Sequence, residues 1–281
     1  CDSAHFVFPA KSTKIAVFGD SLSDNGNTFK ATHGAMPPSP FYHGGRFSNG
    51  PVWVEHLANT IPSAKLVDLA FGGATSSSKL IGAQFGRVAA PEIPGALEQA
   101  HKWVSSVGGR KNVHPKSTLA TLWVGANDYF NAEAAGRHDI DPCAVVDRIM
   151  DTIDVLRRTG VINFLIFDQP PVSNRIPFWS HNILLAQRIG ALAKQHPGLR
   201  LVRMEMVGIF EEIVKDRARF GLDMPIELVT SPCLNQTTNP WTECQDSIHL
   251  LWDRVHPTTK VHKIIGNLAY DALVKEGLLS A

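Results

Sequence analysis

Ile15-Ala16-Val17-Phe18-Gly19-Asp20-Ser21-Leu22-Ser23-Asp24-Asn25-Gly26-Asn27 decides the fold of this chain. Ile15 to Phe18 is an unbroken apolar run, as expected for a strand covered on both faces of a parallel sheet. It ends in a Gly-Asp-Ser turn and a polar, turn-prone stretch that leads into a helix. A serine at the tip of a buried strand is held on a rigid element yet opens to solvent, which suits a nucleophile. The bland alternative is an ordinary strand-ending turn.

Five β-like runs follow this reading: Lys14–Phe18, Leu66–Ala70, Leu119–Val124, Val161–Phe167 and Leu199–Arg203. Helical segments alternate with them. Asp141 caps one helix with Pro142 in its first turn, Val145, Val146, Ile149, Ile153 and Leu156 form its apolar stripe, and Gly160 ends it. Ile183 to Lys194 and Val207 to Arg217 read as two more. Val261, Ile264, Ile265, Leu268 and Leu273 give a C-terminal helix its buried face. Alternating strand and helix predicts a three-layer αβα domain, in which ligands collect at the carboxyl ends of the strands. Ser21, Gly73, Asn127 and the segment Asp168–Pro171 each follow a predicted strand end.

The chain has 281 residues, 44% hydrophobic and 19% charged, enough for one large domain, although length alone also permits two. No linker, repeat or low-complexity tract divides it, so residues 1–281 are expected to be a single domain. A formal net charge of +1 gives no reason to expect a nucleic-acid partner. No apolar run approaches the roughly 20 residues that span a bilayer. Cys1-Asp2-Ser3 reads as a start without a signal peptide, and the missing Met suggests a processed or truncated form. Cys233 and Cys244 flank a loop rich in Asn, Thr and Pro and are expected to form a short disulfide. Asn235-Gln236-Thr237 inside that loop is an N-glycosylation pattern. Together they favour a secreted, extracellular protein. Pairing of Cys1 with Cys143 is open, and the absence of C-x-x-C disfavours structural zinc.

Asp253-Arg-Val-His256-Pro257 sets a carboxylate and an imidazole three residues apart, close enough for one to orient the other. The competing readings are a surface turn capping the last helix and a metal site from His249, Asp253, His256 and His262. Ala70-Phe71-Gly72-Gly73-Ala74-Thr75 can expose a backbone N–H, and Gly125-Ala126-Asn127-Asp128 an amide, to a developing oxyanion. Taken alone, the first is also an ordinary Gly-rich loop and the second an Asx-type turn.

These four blocks, in this order, resemble those of the GDSL esterase/lipase family, the SGNH hydrolases. The likeness runs from Phe18-Gly-Asp-Ser-Leu-Ser-Asp-Asn-Gly-Asn27 to Trp252-Asp-Arg-Val-His-Pro-Thr258. Gly45-Arg-Phe-Ser-Asn-Gly50-Pro51, with Trp53 and Glu55, resembles the longer secreted branch of plant lipases, fungal esterases and lecithinase/haemolysin-like proteins. The resemblance implies a flavodoxin-like sheet of five parallel strands. It also implies Ser21 as nucleophile, His256 as base and Asp253 behind it, with an oxyanion hole from Ser21, Gly73 and Asn127. Gly73 is chosen by matching the family's block, with Gly72 as the alternative. Asp68 departs from the pattern, where relatives often carry Asn. The G-x-S-x-G elbow of ordinary α/β-hydrolases is absent, as are a P-loop and G-x-G-x-x-G.

The expected activity is carboxylic-ester hydrolysis through an acyl-enzyme, without metal or organic cofactor, by a monomer acting on small or short-chain esters. A lipase, phospholipase or acyltransferase on lipid esters would use apolar surface from Pro37–Tyr42, Pro170-Pro171 and Ile176–Trp179. A carbohydrate acetyl esterase would use the polar, aromatic-flanked segment Tyr42–Asn49. A sugar- or lipid-binding module on an esterase scaffold is the alternative from outside the enzymes.

Overall fold

The computed structural model describes residues 13–279, apart from 63, 87, 172, 174, 175, 224 and 245–248. Cys1, and with it the question of its pairing, lies outside these residues; Cys143 is exposed, with a free thiol. In chain order the elements are β1 (Lys14–Gly19), α1 (Asn27–Ala31), α2 (Trp53–Thr60), β2 (Lys65–Asp68), β3 (Gln84–Phe85), β4 (Val88–Ala89) and α3 (Ala96–Ser106). Then come β5 (Thr118–Trp123), α4 (Ala126–Ala134), α5 (Pro142–Arg158), β6 (Asn163–Phe167), α6 (Phe178–Gln195), β7 (Arg200–Met204) and α7 (Met206–Lys215). The last are α8 (Ile226–Val229), β8 (Leu234–Asn235), β9 (Thr242–Glu243) and α9 (Thr259–Lys275).

Five of these strands form one parallel sheet in the order β2-β1-β5-β6-β7. They are the five runs read from the sequence. Side chains on β1 alternate between the two faces, which explains its continuous apolar run. Ile15 and Val17 pack against α2, α7 and α9, whereas Ala16 and Phe18 pack against α3, α4, α5 and α6. The result is the expected three-layer αβα arrangement. From β1 the chain steps outward to β2 and returns to β5 on the other side of β1. That reversal opens a crevice at the carboxyl ends of β1 and β5, the switch point where such folds bind ligands. Ser21 follows β1 and Asn127 follows β5.

The helix signals were readable where apolar stripes were long. Asp141 accepts the Ala144 N–H at 2.8 Å to cap α5, and all five expected stripe residues are buried. α6 starts at Phe178, five residues before the expected Ile183, because its first turns carry buried polar groups instead of a stripe. His181 Nδ1 meets the Tyr129 hydroxyl at 2.7 Å, and Asn182 pairs with both the N–H and the carbonyl of Gln169. α3 has little sequence signature, because its buried face is Ala96, Gln99, Ala100 and Trp103, small or polar apart from the tryptophan.

Beneath the crevice lies an aromatic stack. Trp123 lies flat on Phe167 with ring centres 4.6 Å apart, and Trp53 meets Phe167 at 4.4 Å. Trp53 Nε1 donates to Ser23 Oγ at 3.0 Å, so the stack also pins the turn after β1. Gly19 ends β1 at φ +150, where an added Cβ would lie 2.2 Å from the Trp123 carbonyl oxygen. Gly19→Ala is therefore expected to destabilise the fold by about 3 kcal/mol or more. Gly190, exposed in the middle of α6 with open space where a Cβ would go, gives the opposite sign. Gly190→Ala should stabilise by about 0.5–1 kcal/mol. Urea denaturation of the two variants checks both directions.

Candidate active site

Ser21 lies in the turn that follows β1, buried apart from the face it turns to a cleft. The turn is locked from below. Asp20 N–H donates to the Trp123 carbonyl at 3.2 Å, and the Ser23 and Asp24 N–H groups close back on the Asp20 carbonyl. The Gln99 side chain reaches from α3 to pair with both the N–H and the carbonyl of Gly19, each at 2.9 Å.

His256 Nε2 lies 2.8 Å from Ser21 Oγ, and its Nδ1 lies 2.7 Å from Asp253 Oδ2. Asp253 Oδ1 accepts the N–H groups of Val255 and His256, each at 2.9 Å, so the turn that carries both side chains is wound around the carboxylate. Burial works to raise the Asp253 pKa, but the His256 charge and these hydrogen bonds outweigh it and hold it down at about 2. For His256 burial disfavours the charged form, yet Asp253 prevails and the pKa stands raised above its ordinary 6.5. The Phe47 ring packs against the imidazole, with ring centres 5.2 Å apart.

The other two blocks converge on the same serine. Gly72 N–H is spent on Asp24 Oδ2 at 2.8 Å, whereas Gly73, at φ +81, lines the cleft. Among the described residues no hydrogen bond engages the N–H of Ser21 or Gly73. Asn127 donates one amide hydrogen to the Ala74 carbonyl at 2.9 Å, which fixes the amide and leaves its second hydrogen for the cleft. Asp128 beside it takes the Ser76 N–H at 2.8 Å and hydroxyl at 2.5 Å, and burial pushes its pKa up to about 7. Asp68 accepts the N–H groups of Ala70 and Asn25 on its two oxygens, at 2.8 and 3.1 Å, a pair that the single oxygen of an Asn would have to share.

The fourfold cluster of His249, Asp253, His256 and His262 does not assemble. His249 Nδ1 faces the Ser231 carbonyl at 2.9 Å, and His262 Nδ1 accepts the Trp53 N–H at 3.2 Å. Among the described residues no group of three or more His, Cys, Asp or Glu side chains is set to hold a metal ion.

Two cavities meet at Ser21. A small one of about 100 Å³ is walled by Leu22, Phe130, Pro170 and Ile176. An open cleft of about 880 Å³ carries Tyr42, Phe47, Phe85 and Trp241 beside the polar Gln84, Asn131 and Gln236. Of the segment Pro37–Tyr42, Pro37, Pro38 and Tyr42 line it, with Met36 beside them. Trp179 does not, being exposed beside a separate recess with Asp168 and Arg203. Nor do Arg46, Ser48 and Asn49 of the segment Tyr42–Asn49 face a ligand. Arg46 is paired with Glu55 at 2.6 Å, Ser48 with the Pro257 carbonyl and Asn49 with the Thr259 N–H. Cys233 and Cys244 are disulfide-bonded, and the loop they close brings Gln236 and Trp241 to the cleft wall. The sequence carries no sign of the parts played by Asp24 and Gln99, and it offers Tyr42 only as cleft surface, not as a hydroxyl that donates to Asp253 Oδ2 at 2.7 Å.

The GDSL-like lipase/acylhydrolase family model matches residues 15–269. Over 313 residues the chain is 26% identical to phosphatidylcholine-sterol acyltransferase of Aeromonas hydrophila, with 92% of this chain and 89% of that protein covered. An acetylesterase of Thermothelomyces thermophilus is 23% identical over 285 residues, covering 93% and 88%. The crystal structure of Axe2, an acetylxylan esterase from Geobacillus stearothermophilus, shares the fold at a TM-score of 0.51 and 13% identity, with 97% and 99% covered. Matched from within β1 to within α9, the chain belongs to the GDSL-like lipase/acylhydrolase family and is a serine ester hydrolase.

Proposed function

We propose that the chain, acting as a single domain over residues 1–281, hydrolyses carboxylic esters through an acyl-enzyme on Ser21. The observation that carries this reading is the unbroken path from Ser21 Oγ through His256 to Asp253, at 2.8 and 2.7 Å. Ser21 Oγ attacks the carbonyl carbon while its proton passes to His256 Nε2. The carbonyl oxygen becomes an oxyanion and takes the N–H groups of Ser21 and Gly73 and the second amide hydrogen of Asn127. Asp253 stabilises the imidazolium. His256 then protonates the departing alcohol, and water repeats the cycle to release the acid and restore the serine. The scheme calls on no metal or organic cofactor.

The unequal cavities support a substrate with a short acyl group and a bulkier alcohol. The small apolar pocket has room for only a short chain. The open cleft, with aromatic and amide side chains, suits the alcohol and admits an acceptor alcohol in place of water. A second reading, acyl transfer between lipids, is favoured by the likeness to the Aeromonas acyltransferase and puts a long acyl chain in the cleft. Secretion and a monomeric state belong to the same proposal. The Cys233–Cys244 bridge suits an oxidising compartment, and Asn235 is exposed for glycosylation.

Ser21→Ala should lower turnover on the order of a million-fold and abolish labelling by a fluorophosphonate, with the melting temperature retained. Undiminished hydrolysis would refute the assignment. On nitrophenyl esters from acetate to palmitate, kcat/KM should peak at the short end. Ile176→Ala, which widens the small pocket, should shift that peak to longer acids, each extra methylene changing the ratio roughly tenfold or more. A steady rise toward palmitate in the parent enzyme would favour the lipid reading. Because His256 acts as a base only when neutral and its pKa is raised, kcat/KM should fall as pH drops, with a midpoint above 6.5. Asp253→Asn removes the charge that raises it, so the limb should move down in pH while the rate collapses.

A further inference from the structure

We infer that Tyr42 is a positioning residue for Asp253 and, through it, for His256, held in place by the disulfide-closed loop. The inference rests on the Ser21–His256–Asp253 reading and extends it. Asp253 Oδ1 is fixed by the two backbone N–H groups of its own turn. His256 Nδ1 lies 3.0 Å from Oδ1 and 2.7 Å from Oδ2, and Oδ2 has a second donor in the Tyr42 hydroxyl at 2.7 Å. Without the phenol, Oδ2 of this buried carboxylate would depend on the imidazole alone. The carboxylate would then be freer to rotate toward Nδ1 or away from it.

Tyr42 comes from a distant segment, and its ring is wedged edge-on against Trp252 at 6.5 Å and Phe47 at 6.2 Å. Trp252 precedes Asp253 in the chain, and Phe47 packs on His256. One aromatic side chain therefore braces both halves of the acid–base pair. The hydroxyl has a partner of its own: Gln236 Nε2 donates to Tyr42 Oη at 3.3 Å from within the Cys233–Cys244 loop. A hydroxyl that accepts from an amide is a stronger donor, so the loop reinforces the bond to Asp253. This gives the disulfide a reach to the reacting serine that its place at the cleft rim does not suggest.

The charged and titratable groups facing His256 are Asp253 from its own turn, Asp20 from the end of β1 and His262 from α9. A hydroxyl bonded to Asp253 draws off part of the negative charge felt by the imidazole. Its removal should therefore favour imidazolium and raise the acid limb.

The test is Tyr42→Phe, which keeps the ring and its packing. The expected result is a kcat lowered about tenfold with KM within about twofold, and an acid limb raised by roughly half a pH unit. In an Asp253→Ala background the same substitution should change the fluorophosphonate labelling rate less than about twofold, because the group it acts through is gone. An equal loss in both backgrounds, or an unmoved limb, overturns the inference. If Tyr42→Phe lowers the melting temperature into the assay range, Gln236→Leu carries the test. It should raise the limb in the same direction by less, and an unmoved limb again overturns the inference. Full activity in Ser21→Ala would instead remove the triad reading beneath it, an outcome separate from either Tyr42 result.

Discussion

The carboxylate of Asp24 is fully buried and accepts the N–H groups of Gly26, Asn27 and Thr28 from its own turn, at 2.8, 2.6 and 3.1 Å. Its fourth donor is Gly72 N–H at 2.8 Å, from a turn 48 residues away. A buried anion is tolerable only when its oxygens are satisfied, and each charge-assisted bond of this kind is worth about 1.5–3 kcal/mol. The constraint is geometric as much as energetic. By consuming Gly72 N–H, the carboxylate anchors the turn in which Gly73 lines the cleft. An added Cβ on Gly72 would sit 2.0 Å from the Phe47 ring, and Phe47 in turn packs on His256. The turn after β1, the turn after β2 and the imidazole therefore form one assembly.

Other bonds extend that assembly to every strand end around the crevice. Gln99 ties α3 to Gly19, Asp128 ties α4 to Ser76, and Gln169 donates to the Val124 carbonyl at 2.8 Å, joining β6 to β5. None of these side chains is proposed to touch substrate. They make the separation of Ser21, Gly73 and Asn127 a property of the sheet, which would keep the proposed oxyanion donors in position before charge develops.

Much of this was legible in the residues, and what was not has a common cause. The five sheet strands could be read because burial on both faces demands continuous apolar side chains, and α5 because its cap, stripe and terminal glycine all agree. Ser21, Gly73, Asn127, Asp253 and His256 could be singled out because each sits in a short motif at a strand end or turn. The structural parts of Asp24 and Gln99, and the bond from Tyr42 to Asp253, could not, since they depend on partners 48, 80 and 211 residues away. A glutamine in an apolar helix face carries no local sign that it will cap a strand. The segment Tyr42–Asn49 divides its residues: Tyr42 and Phe47 line the cleft. Its polar residues suggest a sugar, but Arg46, Ser48 and Asn49 are taken up in joining that segment to α2 and to the start of α9.

The same burial that organises the site couples its acids and histidines to stability along the pH axis. Asp20 and Asp128 are buried with pKa values pushed up to about 7, so folding disfavours their ionisation. Their contribution is most favourable below the unfolded value of 3.8 and is lost as pH rises through about 7. Asp253 runs the other way: its pKa of about 2 contributes stability above 3.8 that is lost as pH falls. Between 4 and 7 Asp20 and Asp128, with Asp168 raised to about 6, weaken the fold as pH rises. Buried His181 and His262, held at about 4 and about 3, strengthen it over the same window because the unfolded chain binds their protons more readily. In the proposed mechanism His256 must be neutral, which requires a pH above its raised pKa. Against the burial of Asp20 and Asp128, the hydrogen bonds from Leu22 N–H and from the Ser76 N–H and hydroxyl favour the ionised carboxylates.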